Sequence, residues 1–99
     1  MSTNPLEAFG RLDPSILDQL QGMSDFAFES GALPRKVKLM MAMALDSSLG
    51  TTDGVRALAE QAMEAGATKE EIAETLKVAF YVCGASTVYT SGRALHGLF

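Results

Sequence analysis

The chain has very little cysteine: its 99 residues contain one, Cys83. A single thiol excludes an internal disulfide. It also excludes a redox cycle that needs two cysteines in the same chain. A protein without disulfides suits a reducing compartment, so we expect a cytoplasmic location.

Long apolar runs and a basic excess are also missing. The longest mostly apolar stretch, residues 39–45, is too short to cross a bilayer, and residues 1–12 lack the pattern of a signal peptide. The net charge of -4 and the pI of about 4.8 are the opposite of a nucleic-acid-binding footprint. We therefore expect neither a membrane nor a nucleic acid as a partner.

Cofactor and metal motifs are absent too. The sequence has no glycine-rich phosphate loop and no dinucleotide fingerprint, so we expect no cofactor. Its one histidine, His96, lies close to the C-terminus, and the sequence gathers no further ligands around it for a metal ion. We therefore predict no metal site and assign His96 no role.

The composition is that of one globular domain over residues 1–99, with 47% hydrophobic and 20% charged residues. No segment alternates apolar and polar residues, so we predict no strands and an all-α fold. Proline, glycine and capping residues divide the chain into helices. The predicted segments are 4–10, 13–31, 34–50, 51–66, 68–83 and 87–98.

The helix predicted after Pro34 is apolar on nearly every face, from Val37 to Leu45. Such a helix is usually buried on most of its faces. A chain of this length buries only about two-thirds of its surface by itself. We therefore expect this central helix to be partly covered by a neighbouring subunit.

Two blocks carry a family resemblance. The first runs from Leu33-Pro34 through the apolar helix to Leu49-Gly50, and the second from Ala65-Gly66-Ala67-Thr68 to Cys83-Gly84. Their order resembles the carboxymuconolactone decarboxylase family, which includes the alkylhydroperoxidase D-like proteins, over residues 14–98. The resemblance implies a helical domain built round a two-helix hairpin and assembled as trimers or hexamers.

The resemblance also says where a redox site would lie. The peroxidase branch of the family has a glutamate on the central helix, followed by a Cys-x-x-Cys-x-x-x-His run that opens the next helix. The corresponding positions here are Leu39, Thr51, Gly54 and Leu58. The decarboxylase branch also tends to have a histidine at the place of Leu58. The resemblance therefore implies the family scaffold with a degenerate active site.

Leu58 is predicted to be a core residue. It lies on one helical stripe with Val55, Ala59, Ala62 and Met63. A catalytic histidine at this place would need a proton partner, and Leu39 supplies no carboxylate.

Four residues are candidates for a remaining site: Asp46, Thr51, Asp53 and Cys83. The first three lie at the helix junction 46–53, where one of the aspartates could act as a general base and the hydroxyl could bind a substrate, with Tyr81 and Tyr89 adding hydroxyls. The same residues also suit helix capping and hydration, and buried tyrosines would explain Tyr81 and Tyr89 equally well. Cys83 is interpreted either as a small buried hydrophobe or as a lone peroxidatic thiol.

Three cations open the central helix, namely Arg35, Lys36 and Lys38. Positive charge in the first turns of a helix opposes its macrodipole. A carboxylate of another subunit or a bound anion would compensate, although a solvated charged surface is the simpler interpretation.

Two functions stay open at this point. One is an oligomeric accessory protein or small-molecule-binding protein without redox chemistry. The other is a family enzyme, of the decarboxylase type or a lone-thiol peroxidase, that uses the junction 46–53 or Cys83.

Overall fold

The computed structural model describes residues 4–99. Residues 1–3, part of the segment in which no signal peptide is expected, lie outside the described residues. The described chain forms helices only, which confirms the all-α prediction. The helices are α1 (Glu7–Leu12), α2 (Pro14–Phe28), α3 (Arg35–Leu49), α4 (Thr52–Glu64), α5 (Lys69–Cys83) and α6 (Ser86–Leu95).

The helix starts follow from local capping chemistry. Asp13 caps α2, with its carboxylate accepting from the Ser15 backbone N–H at 3.1 Å, and proline is the first residue of the helix. Thr68 and Glu71 form the predicted capping box of α5, with backbone bonds of 3.1 and 2.9 Å. These bonds satisfy N–H groups that have no partner inside the helix.

The core is built on the hairpin of α3 and α4. Leu39 and Met43 of α3 and Val55 and Ala59 of α4 have no exposed surface. Helices α5 and α6 pack against this hairpin and close the core from the other side. Gly50 joins α3 to α4 with a φ of 77°, a left-handed conformation that glycine adopts without strain.

Within one chain α3 is buried on one side, and the expected cover by a neighbouring subunit stays a prediction. One face of this helix is fully covered, but Met41, Leu45 and Leu49 on the opposite face are exposed. The reason is that α4, α5 and α6 all pack on the same side of α3. A single chain therefore does not cover its central helix on most faces.

Helices α1 and α2 pack only loosely on the rest of the domain, and neither contains a buried residue. Phe28, at the end of α2, is the half-buried side chain that packs against the core. The two helices therefore stand off from the hairpin and leave an open cleft beside it.

Within residues 4–99, no helix is both long enough and apolar enough to cross a membrane.

Candidate functional site

The junction of α3 and α4 brings Asp46 against Gly54. The Asp46 carboxylate lies over the first turn of α4, and a Cβ added at Gly54 would overlap one carboxylate oxygen and lie 2.9 Å from Cγ. The same Cβ would lie 3.2 Å from Cγ2 of Thr51. Gly54 therefore provides the space that the Asp46 side chain occupies.

Partial burial raises the pKa of Asp46, because desolvation disfavours the charged form of a carboxyl group. Within residues 4–99 no side chain donates a hydrogen bond to this carboxylate and no cation pairs with it. A raised pKa and a free oxygen are properties of a proton acceptor. The assignment of Asp46 as a general base stays a prediction.

The other groups predicted to surround Asp46 are not assembled into a pocket. Thr51 and Asp53 are exposed, and Tyr81 is 90% exposed on α5. Tyr89 is exposed on α6. The interpretation of both tyrosines as buried is wrong for a single chain, because the faces of α5 and α6 that bear them point away from the hairpin.

Cys83 is the last residue of α5 and is exposed. Its interpretation as a small buried hydrophobe is therefore wrong for a single chain. The buried side of α5 is formed by Ile72 and Ala79, which face the core, while Cys83 lies beside the exposed Val82.

The two leucines at the family's glutamate and histidine positions differ in burial. Leu39 lies in the middle of the core with no exposed surface. Leu58 was predicted to be a core residue, and it packs against the core but is only partly buried, so it lies at the edge of the core. The reason is that α2 stands off from α4 and leaves one side of Leu58 facing the cleft.

The cleft between α2 and the hairpin has a volume of about 640 Å³. Its wall is mostly apolar, and its polar groups are the side chains of Gln21, Ser24, Arg35 and Gln61. The apolar lining residues are Leu6, Leu17, Leu20, Met23, Ala27, Phe28 and Leu58. Sequence reasoning missed this cleft, because the gap between α2 and α4 is a matter of packing and has no local sequence signal.

The cations at the start of α3 have different partners. Lys36 Nζ forms an ion pair with Glu71 at 3.0 Å, and Lys38 Nζ donates to the Glu29 carbonyl oxygen at 2.7 Å. The Arg35 guanidinium lies 6.0 Å from the centroid of the Phe28 ring and lines the cleft. Among these three cations, only Lys36 is therefore compensated by a carboxylate of residues 4–99.

A second, smaller groove lies at the other end of the domain, between the start of α5 and the end of α6. It has a volume of about 370 Å³ and an almost wholly apolar wall that includes Ile72, Leu76, Leu95 and Phe99. In the described part of the chain, histidine, cysteine and carboxylate residues nowhere gather in a group of three that could hold a metal ion.

Comparison with known proteins identifies the family to which this chain belongs. The family model of the carboxymuconolactone decarboxylase family matches residues 14–95. An uncharacterized protein of Cupriavidus necator is 32% identical over 88 residues, which are 89% of this chain and 78% of that protein. The crystal structure of an apo carboxymuconolactone decarboxylase family protein from Legionella pneumophila superposes with a TM-score of 0.85 at 28% identity, covering 95% of this chain and 84% of that one. The chain therefore belongs to the carboxymuconolactone decarboxylase family.

Proposed function

We propose that this protein is a non-redox member of its family that binds a small molecule with an apolar body in the cleft between α2 and the α3–α4 hairpin. One observation carries the proposal: Leu58, at the position of the family's histidine, lines an open apolar cleft of about 640 Å³. A leucine there offers contact area and no proton transfer. The site is thus suited to binding without catalysis.

The size and the wall of the cleft support this function. Small-molecule sites usually have volumes of about 300–1,000 Å³, with apolar walls and a few polar groups that fix the ligand's orientation. Here Gln21 and Gln61 offer amide groups on opposite sides, one from α2 and one from α4.

Binding of a neutral apolar probe tests the proposal. We expect N-phenyl-1-naphthylamine to become fluorescent on binding with a micromolar dissociation constant. Ala27→Trp, which places an indole in the cleft, should weaken binding at least about tenfold. Ala65→Trp is the matched control, because Ala65 is exposed at the end of α4 and lines neither the cleft nor the α5–α6 groove.

Equal weakening by both tryptophan variants, or no binding by the parent, would contradict the proposal. Near-ultraviolet circular dichroism of each variant separates a blocked cleft from a loosened core. Loss of binding without a change in this spectrum supports the cleft as the site.

The alternative function is a family enzyme that acts through Asp46 or Cys83. The position of the Asp46 carboxylate against Gly54 and its raised pKa favour this second candidate. The Cys83 thiol is exposed and therefore accessible to a peroxide.

Hydroperoxide turnover decides between these functions. A disulfide-based peroxidase needs thiols at the places of Thr51 and Gly54, so we expect no turnover above the uncatalysed rate. Turnover lost in Cys83→Ser would support a lone-thiol peroxidase. Turnover that survives this substitution but is lost in Asp46→Asn would support catalysis at the helix junction. Either result would count against the binding function.

The proposed assembly is a homo-oligomer, a trimer or hexamer as is usual in the family, and the proposed location is cytoplasmic. The assembly is supported by the exposed apolar face of α3, formed by Met41, Leu45 and Leu49. The location is supported by the single, unpaired cysteine.

A further inference from the structure

We infer that the ligand of the cleft is an amphipathic anion, whose charged group is bound by the Arg35 guanidinium while its apolar body lies between α2 and α4. This inference rests on the proposed binding function of the cleft and adds the chemical class of the ligand.

The charged side chain on the cleft wall is opposite in sign to the net charge of the protein. The chain has a net charge of -4, yet the charged residue on the cleft wall is a cation, Arg35, and the wall contains no carboxylate. A neutral apolar ligand would not need a charged group at this place. Arg35 is exposed where it lines the cleft, and an anion would be attracted to it there.

Arg35 also differs from the two cations that follow it. Lys36 is paired with Glu71, and Lys38 is bound to the Glu29 carbonyl group. Within residues 4–99 the Arg35 guanidinium makes no ion pair and no hydrogen bond, and it lies 6.0 Å from the centroid of the Phe28 ring. A guanidinium has five donors in a planar fork that suits the two oxygens of a carboxylate or a sulfonate.

Two carboxylates near Arg35 do not neutralise it. Asp25 and Glu29 border a neighbouring surface groove that Arg35 also lines, but neither lies within 4.0 Å of the guanidinium as an ion pair. The Asp25 carboxylate accepts a hydrogen bond from Gln21 Nε2 at 2.8 Å. Neither carboxylate occupies the donors of the Arg35 guanidinium.

The backbone adds to the attraction for an anion. Arg35 is the first residue of α3, and the preceding Pro34 provides no side-chain cap. The positive end of the helix dipole is therefore unscreened by a capping oxygen beside the guanidinium. The helix dipole and the Arg35 side chain therefore both favour a negatively charged ligand.

Two dyes that share the same aromatic skeleton test the inference. The anion 1-anilinonaphthalene-8-sulfonate is N-phenyl-1-naphthylamine with an added sulfonate group. We expect Arg35→Gln to weaken binding of the anion about tenfold at low salt, as expected for one lost charge-assisted contact. The same substitution should change binding of the neutral dye by less than about twofold. Arg93→Gln, at an exposed arginine of α6 outside the cleft, should change neither.

The outcomes separate this inference from the function on which it rests. If both dyes bind the parent and Arg35→Gln affects them equally or not at all, the anion class is wrong and the binding function stands. If Ala27→Trp affects neither dye, the binding function itself fails. If Ala27→Trp instead dissociates an oligomer, the cleft holds a second copy of the chain and the inference is overturned. Arg35→Lys should recover part of the anion affinity, because it restores the charge without the planar fork.

Discussion

The contact between Asp46 and Gly54 explains why a glycine suits this position in α4. Glycine in a helix interior costs about 0.5–1 kcal/mol relative to alanine. Here Gly54 lies in the first turn of α4, and any Cβ would overlap the Asp46 carboxylate. The glycine makes room for a carboxylate at the place where the family resemblance puts the second cysteine of the redox pair.

A double-mutant cycle tests this contact. In the Asp46→Ala background, Gly54→Ala should stabilise the protein by about 0.5–1 kcal/mol through helix propensity. In the parent, the gain should vanish or become a loss, because the carboxylate has to rotate away. Urea unfolding measures all four proteins, and a coupling energy of about 0.5 kcal/mol or more is expected.

Gly22→Ala is the matched control. Gly22 lies inside α2, and a Cβ there would meet no atom within 4 Å. Its substitution should be stabilising whether residue 46 is aspartate or alanine. Additive effects at positions 46 and 54 would mean that the close contact is absent in solution.

The partial burial of Leu58 can be tested by the loss of stability on substitution. Complete burial would make Leu58→Ala cost about 2–5 kcal/mol. A half-buried leucine on the wall of the cleft should cost less, about 1–2 kcal/mol. Leu58→His should cost about the same, since the imidazole nitrogens can reach water in the cleft.

Leu39→Ala is the control for Leu58, as the same substitution at a site with no exposed surface. It should cost about 2–5 kcal/mol. Equal losses for the two alanine variants in denaturant unfolding would show that α2 closes over Leu58 in solution.

The ends of the helices were largely predictable, because they depend on residues close together in the sequence. The start of α2 at Asp13-Pro14 and the capping box of α5 were both predicted and are confirmed. The last helix was predicted to reach residue 98, but it ends at Leu95 before Gly97, whose φ is 84°. The terminal glycine that stops the helix was overlooked.

Which side of each helix is buried was less predictable, since this depends on the neighbouring helices that cover it. Apolar periodicity predicted burial for Leu58, and burial was one of the two interpretations of Cys83. The structure separates them, because α2 leaves Leu58 beside the cleft and α5 points Cys83 outward. Of the candidate site, Asp46 and the cations at the start of α3 could be named from the sequence. The cleft, and the lack of an ion-pair partner for Arg35 within residues 4–99, could not.

The link between α3 and α5 should make stability depend on pH. The pKa of Glu71 is lowered, first by the hydrogen bond from the Thr68 backbone N–H and then by Lys36. A carboxylate with a lowered pKa stabilises the fold above its ordinary pKa, and this stabilisation is lost as the pH falls through the folded-state value. Glu71→Gln should therefore lower the urea midpoint at neutral pH, and its difference from the parent should disappear in acid.

Glu70→Gln is the control, since Glu70 lies in the same first turn but forms no ion pair within residues 4–99. Its urea midpoint should follow that of the parent across the acid range. A constant difference between Glu71→Gln and the parent down to about pH 2 would contradict the role of the charge.

Many large apolar side chains are exposed in the described part of the chain. Phe26, Leu45, Leu49, Tyr81 and Val82 are each more than half exposed. Multi-angle light scattering at micromolar concentration should therefore report at least a dimer, and the family favours a trimer or hexamer. Leu45→Lys should shift the protein towards smaller species by placing a charge on the exposed face of α3. A stable, well-folded parent monomer would contradict the proposed assembly.

The location of a bound apolar probe is the most direct test of the proposed function, because the α5–α6 groove also has an apolar wall. Methyl-labelled protein with N-phenyl-1-naphthylamine can be examined by intermolecular nuclear Overhauser effects. The proposal predicts contacts from the dye to the methyl groups of Leu17, Leu20 and Leu58 in the cleft. Contacts confined to Ile72, Leu76 and Leu95 would place the ligand in the α5–α6 groove and contradict it.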